Sequence, residues 1–424
     1  MVYPEDRARI ELTRRIETDL IRDDQSCQIH LFYSGARMKK RVLFYCQSLL
    51  GIGHFIRSRE LLFALRDFEV CFLYGGEFVP GFELPAWVEV VYLPAIKSDA
   101  SFEKLYVVEG GESLLEVQKR RREMLLDAFD RFAPDLLLIE LFPFGRRKFN
   151  FELLPLLAHA RATRPEVKIV CSLRDILVRR PDQARYESEV CALMNQYFDL
   201  LLVHADPRLQ RLEETFGSVA SVNCAIRYTG YVAQTPRETP KASVKADPLI
   251  VVSVGGGRVG GELIDCALEA DKRLSFPRQL RVFTGPHMPV EQFQSLSRQA
   301  ADRPHIIIER HTTRFLTWLQ QADLSISMAG YNTCMDILSA GVRALVWPFN
   351  EHENDEQTRR ARKLEELGYV SLLDPARLEP DYLASEIIRR LNLPPPAPAA
   401  ALDLQGGKRT AELLAALLAG EIND

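Results

Sequence analysis

Residue patterning points to an α/β protein with two doubly wound, Rossmann-like domains facing a cleft. Two apolar strand runs, beginning near residues 41 and 249, each lead into a glycine loop and a helix, the opening of a nucleotide-binding α/β unit. Between them, the Pro/Thr/Lys-rich stretch Ala233 to Pro248 reads as a linker. Ser325 to Gly368 runs strand, glycine turn, short helix, second strand, polar loop and charged helix, the order in which such a unit presents its ligand-facing elements.

Residues 1–37 are charged and lack a long apolar run, so they read as neither signal peptide nor membrane span. Met38-Lys39-Lys40 directly precedes the first strand, as a natural start would, which makes the preceding segment a mobile extension or a misassigned start; Ile10 to Ile21 has the spacing of an amphipathic helix. The first domain is expected over residues 38–235. In it, Arg41 to Cys46 is a buried strand, Gly51-Ile52-Gly53-His54 a glycine loop, and Ile56 to Leu65 the following helix. Gly51 and Gly53 let the backbone approach a ligand that the helix N-terminus faces. A dinucleotide fingerprint needs a third glycine where this chain has Ile56, which argues against NAD. His54 is an imidazole at a strand's carboxyl end, where it can take a proton from an attacking hydroxyl or water. The plainer role for a loop histidine is a structural hydrogen bond.

Three further strands, Asp135 to Glu140, Val167 to Leu173 and Leu200 to His204, end in polar residues: Glu140, Arg174, Asp175, His204 and Asp206. Such positions face the cleft in doubly wound sheets, or serve as caps and loop salt bridges. Glu140 and Asp175 are the alternative bases to His54. The aromatics of Leu141 to Phe149, beside Arg146, Arg147 and Lys148, suit either a membrane interface with an anionic lipid-linked acceptor or, more ordinarily, a loop whose phenylalanines enter the core.

The second domain is expected over residues 249–392. Leu249 to Val254 is a strand, and Gly255-Gly256-Gly257-Arg258-Val259-Gly260-Gly261 leads into a helix through Cys266 and Leu268. Arg258 is placed to neutralise phosphate charge, or is simply solvated. Arg281 to Thr284 and His305 to Glu309 are strands, the latter followed by Arg310 and His311. After the strand Leu324 to Met328, Ala329 and Gly330 turn the chain, and Asn332 or Thr333 caps a helix ending at Ala340 and Gly341. Its N-terminus suits a diphosphate. Asp336, one turn in, can accept two ribose hydroxyls or merely complement the helix dipole. Ala344 to Trp347 delivers a loop from Asn350 to Gln357 that can bind sugar hydroxyls or be an acidic, solvated helix start. His352-Glu353 lacks the second histidine of HExxH and no Asp-x-Asp pair occurs, so no metal is expected. A proline-rich break, Leu393 to Ala400, precedes a C-terminal segment, 401–424, whose helix Thr410 to Leu418 can pack back across the hinge.

AGYNTCMDILSAG, VWPF and EQTRRARKLEELG together resemble the C-terminal donor-binding domain of glycosyltransferase family 28, whose best-known members are the MurG-like N-acetylglucosaminyltransferases. The resemblance covers most of the chain, is strongest over residues 250–370, and implies a GT-B fold with catalysis between the domains. It implies that Asp336 holds the nucleotide ribose, that Glu356 and Gln357 contact the donor sugar, that Gly255, Gly256 and Gly257 lie near the phosphates, and that His311 borders the nucleobase. The family more often carries two glutamines in the sugar loop and one fewer residue after the proline. It has Gly-Gly-His where this chain has Gly51 to His54, and GIGHFIR is also similar to the Gly-x-Gly-His-x-x-Arg loop of nucleotide-sugar hydrolases, so Arg57 fits both. The expected activity is metal-independent, inverting transfer from a UDP-sugar such as UDP-N-acetylglucosamine to an unknown acceptor, lipid-linked or a polysaccharide. Alternatives are a hydrolase using the same histidine, a non-catalytic nucleotide-sugar-binding protein, and a 2-epimerase, whose carboxylates are not evident.

Composition agrees with an enzyme of the cytoplasm, with peripheral contact at the inner face of the membrane left open. The chain has 424 residues, enough for two cores, 47% hydrophobic and 26% charged. A net charge of −4 without a basic domain argues against nucleic acid. Eight scattered cysteines without CxxC spacing suggest reduced thiols and no zinc site.

Overall fold

Continuous apolar runs rather than alternating ones mark strands buried on both faces, the condition of parallel sheets covered by helices. The computed structural model describes residues 39–49, 51–79, 81–98, 104–108, 110–234, 247–349, 355–396 and 402–422. The extension before Met38, the body of the linker, Asn350 to Asn354 of the sugar loop and most of the second proline-rich break's end lie outside the described residues.

The N-terminal half contains β1 (Arg41–Cys46), α1 (Gly53–Ala64), β2 (Glu69–Tyr74), β3 (Glu89–Tyr92), β4 (Ile96–Ser98), β5 (Leu105–Val107), α2 (Leu114–Phe132), β6 (Leu136–Glu140), α3 (Asn150–Thr163), β7 (Lys168–Arg174), α4 (Gln183–Tyr197), β8 (Leu200–His204) and β9 (Ala225–Tyr228). Seven of these strands form one sheet in the order β3-β2-β1-β6-β7-β8-β9. Every pairing is parallel, with Val42 opposite Val70 on one side and Leu136 on the other. β4 and β5 form a separate antiparallel pair.

The C-terminal half contains β10 (Leu249–Ser253), α5 (Gly261–Asp271), β11 (Gln279–Phe283), α6 (Val290–Ala300), β12 (Ile306–Glu309), α7 (Phe315–Gln321), β13 (Leu324–Met328), α8 (Tyr331–Ala340), β14 (Ala344–Trp347), α9 (Glu356–Glu366), β15 (Ser371–Leu372), α10 (Pro380–Leu391) and α11 (Gly406–Leu418). Its parallel six-stranded sheet runs β12-β11-β10-β13-β14-β15. In both sheets the first strand of the half sits beside a strand that follows a crossover, so a switch point lies at the carboxyl ends of β1 and β10.

Residues 39–424 form one compact unit. The halves share a core in which Ala329, Tyr331 and Cys334 pack with the N-terminal sheet's residues. Leu414 and Leu417 of α11 enter the N-terminal core beside Leu61 and Leu62 of α1.

Several local expectations need correcting. α1 begins at Gly53, three residues earlier than its apolar run, so His54 lies in the first helical turn. α8 has Gly330 as its N-cap with no side-chain cap, while Gly341 closes it in the left-handed conformation as expected. Neither Asn332 nor Thr333 is the cap; the Asn332 amide instead donates 2.9 Å to the carbonyl of Gly53 in the other half. The Leu141 to Phe149 segment does not offer its aromatics to lipid: Phe142, Phe144 and Phe149 are buried, with Phe144 against Phe216 at 5.0 Å, because apolar rings gain more from the core than from solvent. Among the described residues no helix is long and apolar enough to cross a membrane. The seven described cysteines are free and buried.

Candidate functional site

The carboxyl ends of the two sheets face each other across a cavity of about 310 Å³, within the size range of small-ligand sites. One wall comes from the start of α1: Gly53, His54, Ile56 and Arg57, with Phe82 and Arg174 from neighbouring N-terminal loops. The facing wall is built from Gly255 and Gly256, the loop after β12, and the α8 start with Gly330, Asn332, Thr333 and Asp336. Glu356 and Gln357 close one side. Thus most of the sequence-predicted residues meet around one space. Gly51 lies beside it, since a side chain on Gly256 would come within 3.8 Å of the Gly51 Cα. Gly257 and Arg258 do not line it, and Arg258 is exposed.

Glu140 and Asp175, the alternative bases, also lie outside the lining and are committed to partners. Glu140 is fully buried at the end of β6 and accepts from His54 Nδ1 at 2.7 Å and from Arg57. Arg146 stands 3.7 Å from its second oxygen. Burial alone would raise its pKa, but His54, Arg57 and Arg146 outweigh that and hold the carboxyl well below its usual range. An ionised carboxylate only accepts, so Nδ1 of His54 carries the proton and Nε2 is the open acceptor. Desolvation, then the Arg146 charge, push the His54 pKa down to about 3 against the opposing pull of Glu140; the positive end of α1 acts in the same direction. The imidazole is therefore neutral at ordinary pH, with its side chain 21% exposed at the cavity.

Asp175 is held bidentately by Arg360 of α9, at 2.9 and 2.8 Å, with both side chains buried. Arg360 also reaches Glu356 at 2.8 Å and the Ala329 carbonyl at 3.0 Å. Glu356 in turn pairs with Arg174 from the N-terminal half. Both oxygens of Glu356 are thereby tied to arginines, and Gln357 Oε1 accepts from the Phe349 amide at 3.1 Å. His204 is buried between Ser172 and Thr229, and Asp206 is a loop residue bonded to Arg208 and the Asp403 amide, so neither reaches the cleft.

In the glycine loop after β10, Gly257 has no room for a side chain. At Gly257, with φ +83°, a Cβ would sit 2.2 Å from the Thr284 carbonyl oxygen. Beside it, the N-cap of α8 lacks a side chain to occupy its first N–H groups, an arrangement that suits an anion. His311 lies in the lining and stacks on Phe82 from the other half, ring centroids 5.7 Å apart. Phe283 and Phe315 complete an aromatic corner beside them. Sequence reasoning missed Phe82, Gln234, Tyr331 and Arg360. The Tyr331 hydroxyl accepts from the Val232 amide at 2.9 Å and donates to the His204 carbonyl at 3.1 Å. These residues act across long sequence separations, and only Arg360, spaced one turn after Glu356, left a local signal.

Two Rossmann-like halves meeting at a cleft define a GT-B fold, the architecture of the calicheamicin glycosyltransferase, to which this structure is similar with a TM-score of 0.58 at 18% identity over 91% of this chain and 100% of that one. It is also similar to MurG of Acinetobacter baumannii, with a TM-score of 0.52 and 15% identity over 90% and 99% of the two chains. Residues 250–414 match the glycosyltransferase family 28 C-terminal domain, and the C-terminal half is family 28-like. Among curated proteins, 167 residues are 28% identical to the UDP-N-acetylglucosamine–N-acetylmuramyl-(pentapeptide) pyrophosphoryl-undecaprenol N-acetylglucosamine transferase of Ralstonia nicotianae, 37% of this chain and 43% of that protein. The chain thus spans less than half the length of the curated relatives it matches.

Proposed function

We propose that this protein is a glycosyltransferase that moves a sugar from a nucleoside diphosphate, by its likeness to the family 28 relatives a UDP-sugar such as UDP-N-acetylglucosamine, to an acceptor hydroxyl. The observation that carries the reading is the opposition, across one cavity, of a neutral His54 backed by Glu140 and the uncapped start of α8 beside a glycine loop. His54 Nε2 takes the acceptor proton as the oxygen attacks the anomeric carbon. The bond from that carbon to the diphosphate breaks in the same displacement, which inverts the configuration. The diphosphate leaves toward the α8 N–H groups and the backbone at Gly255 and Gly256, which stabilise its developing charge without a metal. Asp336 takes the ribose, His311 and Phe82 flank the base, and Gln357, with Glu356 committed to Arg174 and Arg360, is left to contact the sugar.

The relatives' names specify a pyrophosphoryl-undecaprenol acceptor; by that likeness the acceptor is lipid-linked, with a polysaccharide as the alternative, and an enzyme acting on a lipid-linked acceptor works at a membrane face, here taken as the cytoplasmic one. The buried rings of Phe142, Phe144 and Phe149 are not its lipid contact. A second reading, hydrolysis, is favoured by the Gly51-x-Gly53-His54-x-x-Arg57 sequence, in which the same imidazole would activate water.

Calorimetric titration with UDP-, GDP- and dTDP-sugars, followed by NMR of the tightest donor without acceptor, tests these readings. Selective binding of one donor with negligible sugar release supports the transferase. Rapid acceptor-free release makes the protein a hydrolase, and failure to bind any nucleotide overturns the donor site.

A further inference from the structure

Asp336 is an unusual carboxylate for a cleft wall. It is 3% exposed, and Gln234 Nε2 donates to its two oxygens at 3.1 and 2.9 Å. Buried carboxylates that serve only packing are ordinarily matched by a cation, as Asp175 is by Arg360 in this same molecule. Here the matching group is a neutral amide, which fixes the orientation of the carboxyl; burial, against the weaker pull of that amide, raises its pKa well above the usual carboxylate range, and hydroxyls that donate to it favour the ionised form. An ionised carboxylate has about four acceptor sites. A single amide nitrogen spanning both oxygens uses one on each and leaves one on each, the arrangement that two adjacent hydroxyls of a cis-diol satisfy.

Gln234 is also placed by the connection between the halves. It lies at the start of the linker that joins them. The residues leading to it lie along α8: the Tyr231 ring stands 5.9 Å from that of Tyr331, and the Val232 amide donates to the Tyr331 hydroxyl. Both Gln234 and Asp336 line the cavity. We infer that Gln234 is a positioning residue of the donor site, which chelates the Asp336 carboxylate and holds it for the two hydroxyls of a ribose cis-diol. The ribose preference of the C-terminal half is then set by a side chain that the N-terminal half delivers. This inference rests on the proposed assignment of Asp336 to the ribose.

The test is calorimetric binding of UDP and of 2′,3′-dideoxy-UDP to the wild-type chain and to the Gln234→Ala, Gln234→Asn and Asp336→Asn variants, with thermal melting to verify folding. The wild type should favour UDP, and Gln234→Ala should lower UDP affinity by about tenfold, the scale of a hydrogen bond to a charged group, while changing dideoxy-UDP affinity little. Gln234→Asn, which keeps the amide on a shorter arm, should recover part of the discrimination. A purely structural Gln234 would weaken both nucleotides equally, and that result overturns the inference. If Asp336→Asn abolishes the ribose discrimination but Gln234→Ala preserves it, the ribose assignment stands and the role of Gln234 fails. If Asp336→Asn preserves it, the ribose assignment itself fails and the role of Gln234 with it.

Discussion

Replacing Asp175 with alanine separates two roles that its position at the end of β7 allows. As a base it would be needed for turnover and dispensable for folding; as the partner of Arg360 it ties the two halves together. Both side chains are buried, 0% and 1% exposed, and the pair is bidentate. Breaking a buried pair by deleting one partner costs about 3–5 kcal/mol, because the remaining charge is stranded. Arg360 keeps Glu356 and the Ala329 carbonyl, so the low end, about 3 kcal/mol, is expected. For one compact unit spanning residues 39–424 that corresponds to a fall in melting temperature of about 4 °C. The assay is thermal unfolding of Asp175→Ala and Asp175→Asn beside steady-state kinetics, with Arg360→Met and the double variant completing a cycle. The double variant should be less unstable than the sum of the singles, since removal of both charges leaves neither stranded. A melting temperature unchanged in Asp175→Asn, together with loss of turnover, would refute the ion-pair role and restore Asp175 as a base.

His54→Ala should lower kcat by about 10²–10⁴-fold while sparing nucleotide affinity, measured by kinetics and calorimetry. Because the folded pKa of His54 is pushed down to about 3, kcat/KM should show no His54 limb between pH 5.5 and 8; a limb near 6.5 would mean that the pull of Glu140 cancels burial and the Arg146 charge. The same depression means the unfolded chain binds the proton first, so His54 removes stability as pH falls below its unfolded value near 6.5, which melting from pH 7 to 4 in wild type and His54→Ala will show. Tyr331→Phe strands the Val232 amide and the His204 carbonyl and should cost about 1–3 kcal/mol in denaturant unfolding. Gly257→Ala should cost about 2 kcal/mol or more and misplace the glycine loop, seen as weaker nucleotide binding and a lower melting temperature.

The strands were legible because their signal is local: Arg41–Cys46, Leu200–His204, Leu324–Met328 and Ala344–Trp347 appear as apolar runs with the bounds that the structure gives them. Helix starts were less legible. α1 extends back over Gly53 and His54, which have no apolar pattern, and α8 takes Gly330 as its cap while the Asn332 side chain bonds to the other half. The wall around α8 was readable since its residues follow one another along β13, α8, β14 and α9. On the other wall His54 and Glu140 were legible singly but not as a hydrogen-bonded pair, because they are 86 positions apart and only the adjacency of β1 and β6 brings them together. Gln234 was hidden at the edge of a linker whose composition signals only a break.

The packing of α11 against the N-terminal core has a practical meaning for recombining this protein with others. The chain leaves the N-terminal half after Gln234 and returns to it with Leu414 and Leu417. A segment cut at the linker and transplanted whole would therefore carry away part of the recipient's own hydrophobic interior. In a chimera that exchanges donor specificity, the swapped block should begin near Leu249 and stop before Leu402, with α11 kept from the parent that supplies α1. Chimeras joined that way should fold, whereas those that exchange everything after the linker would have to reconcile two unrelated helix faces.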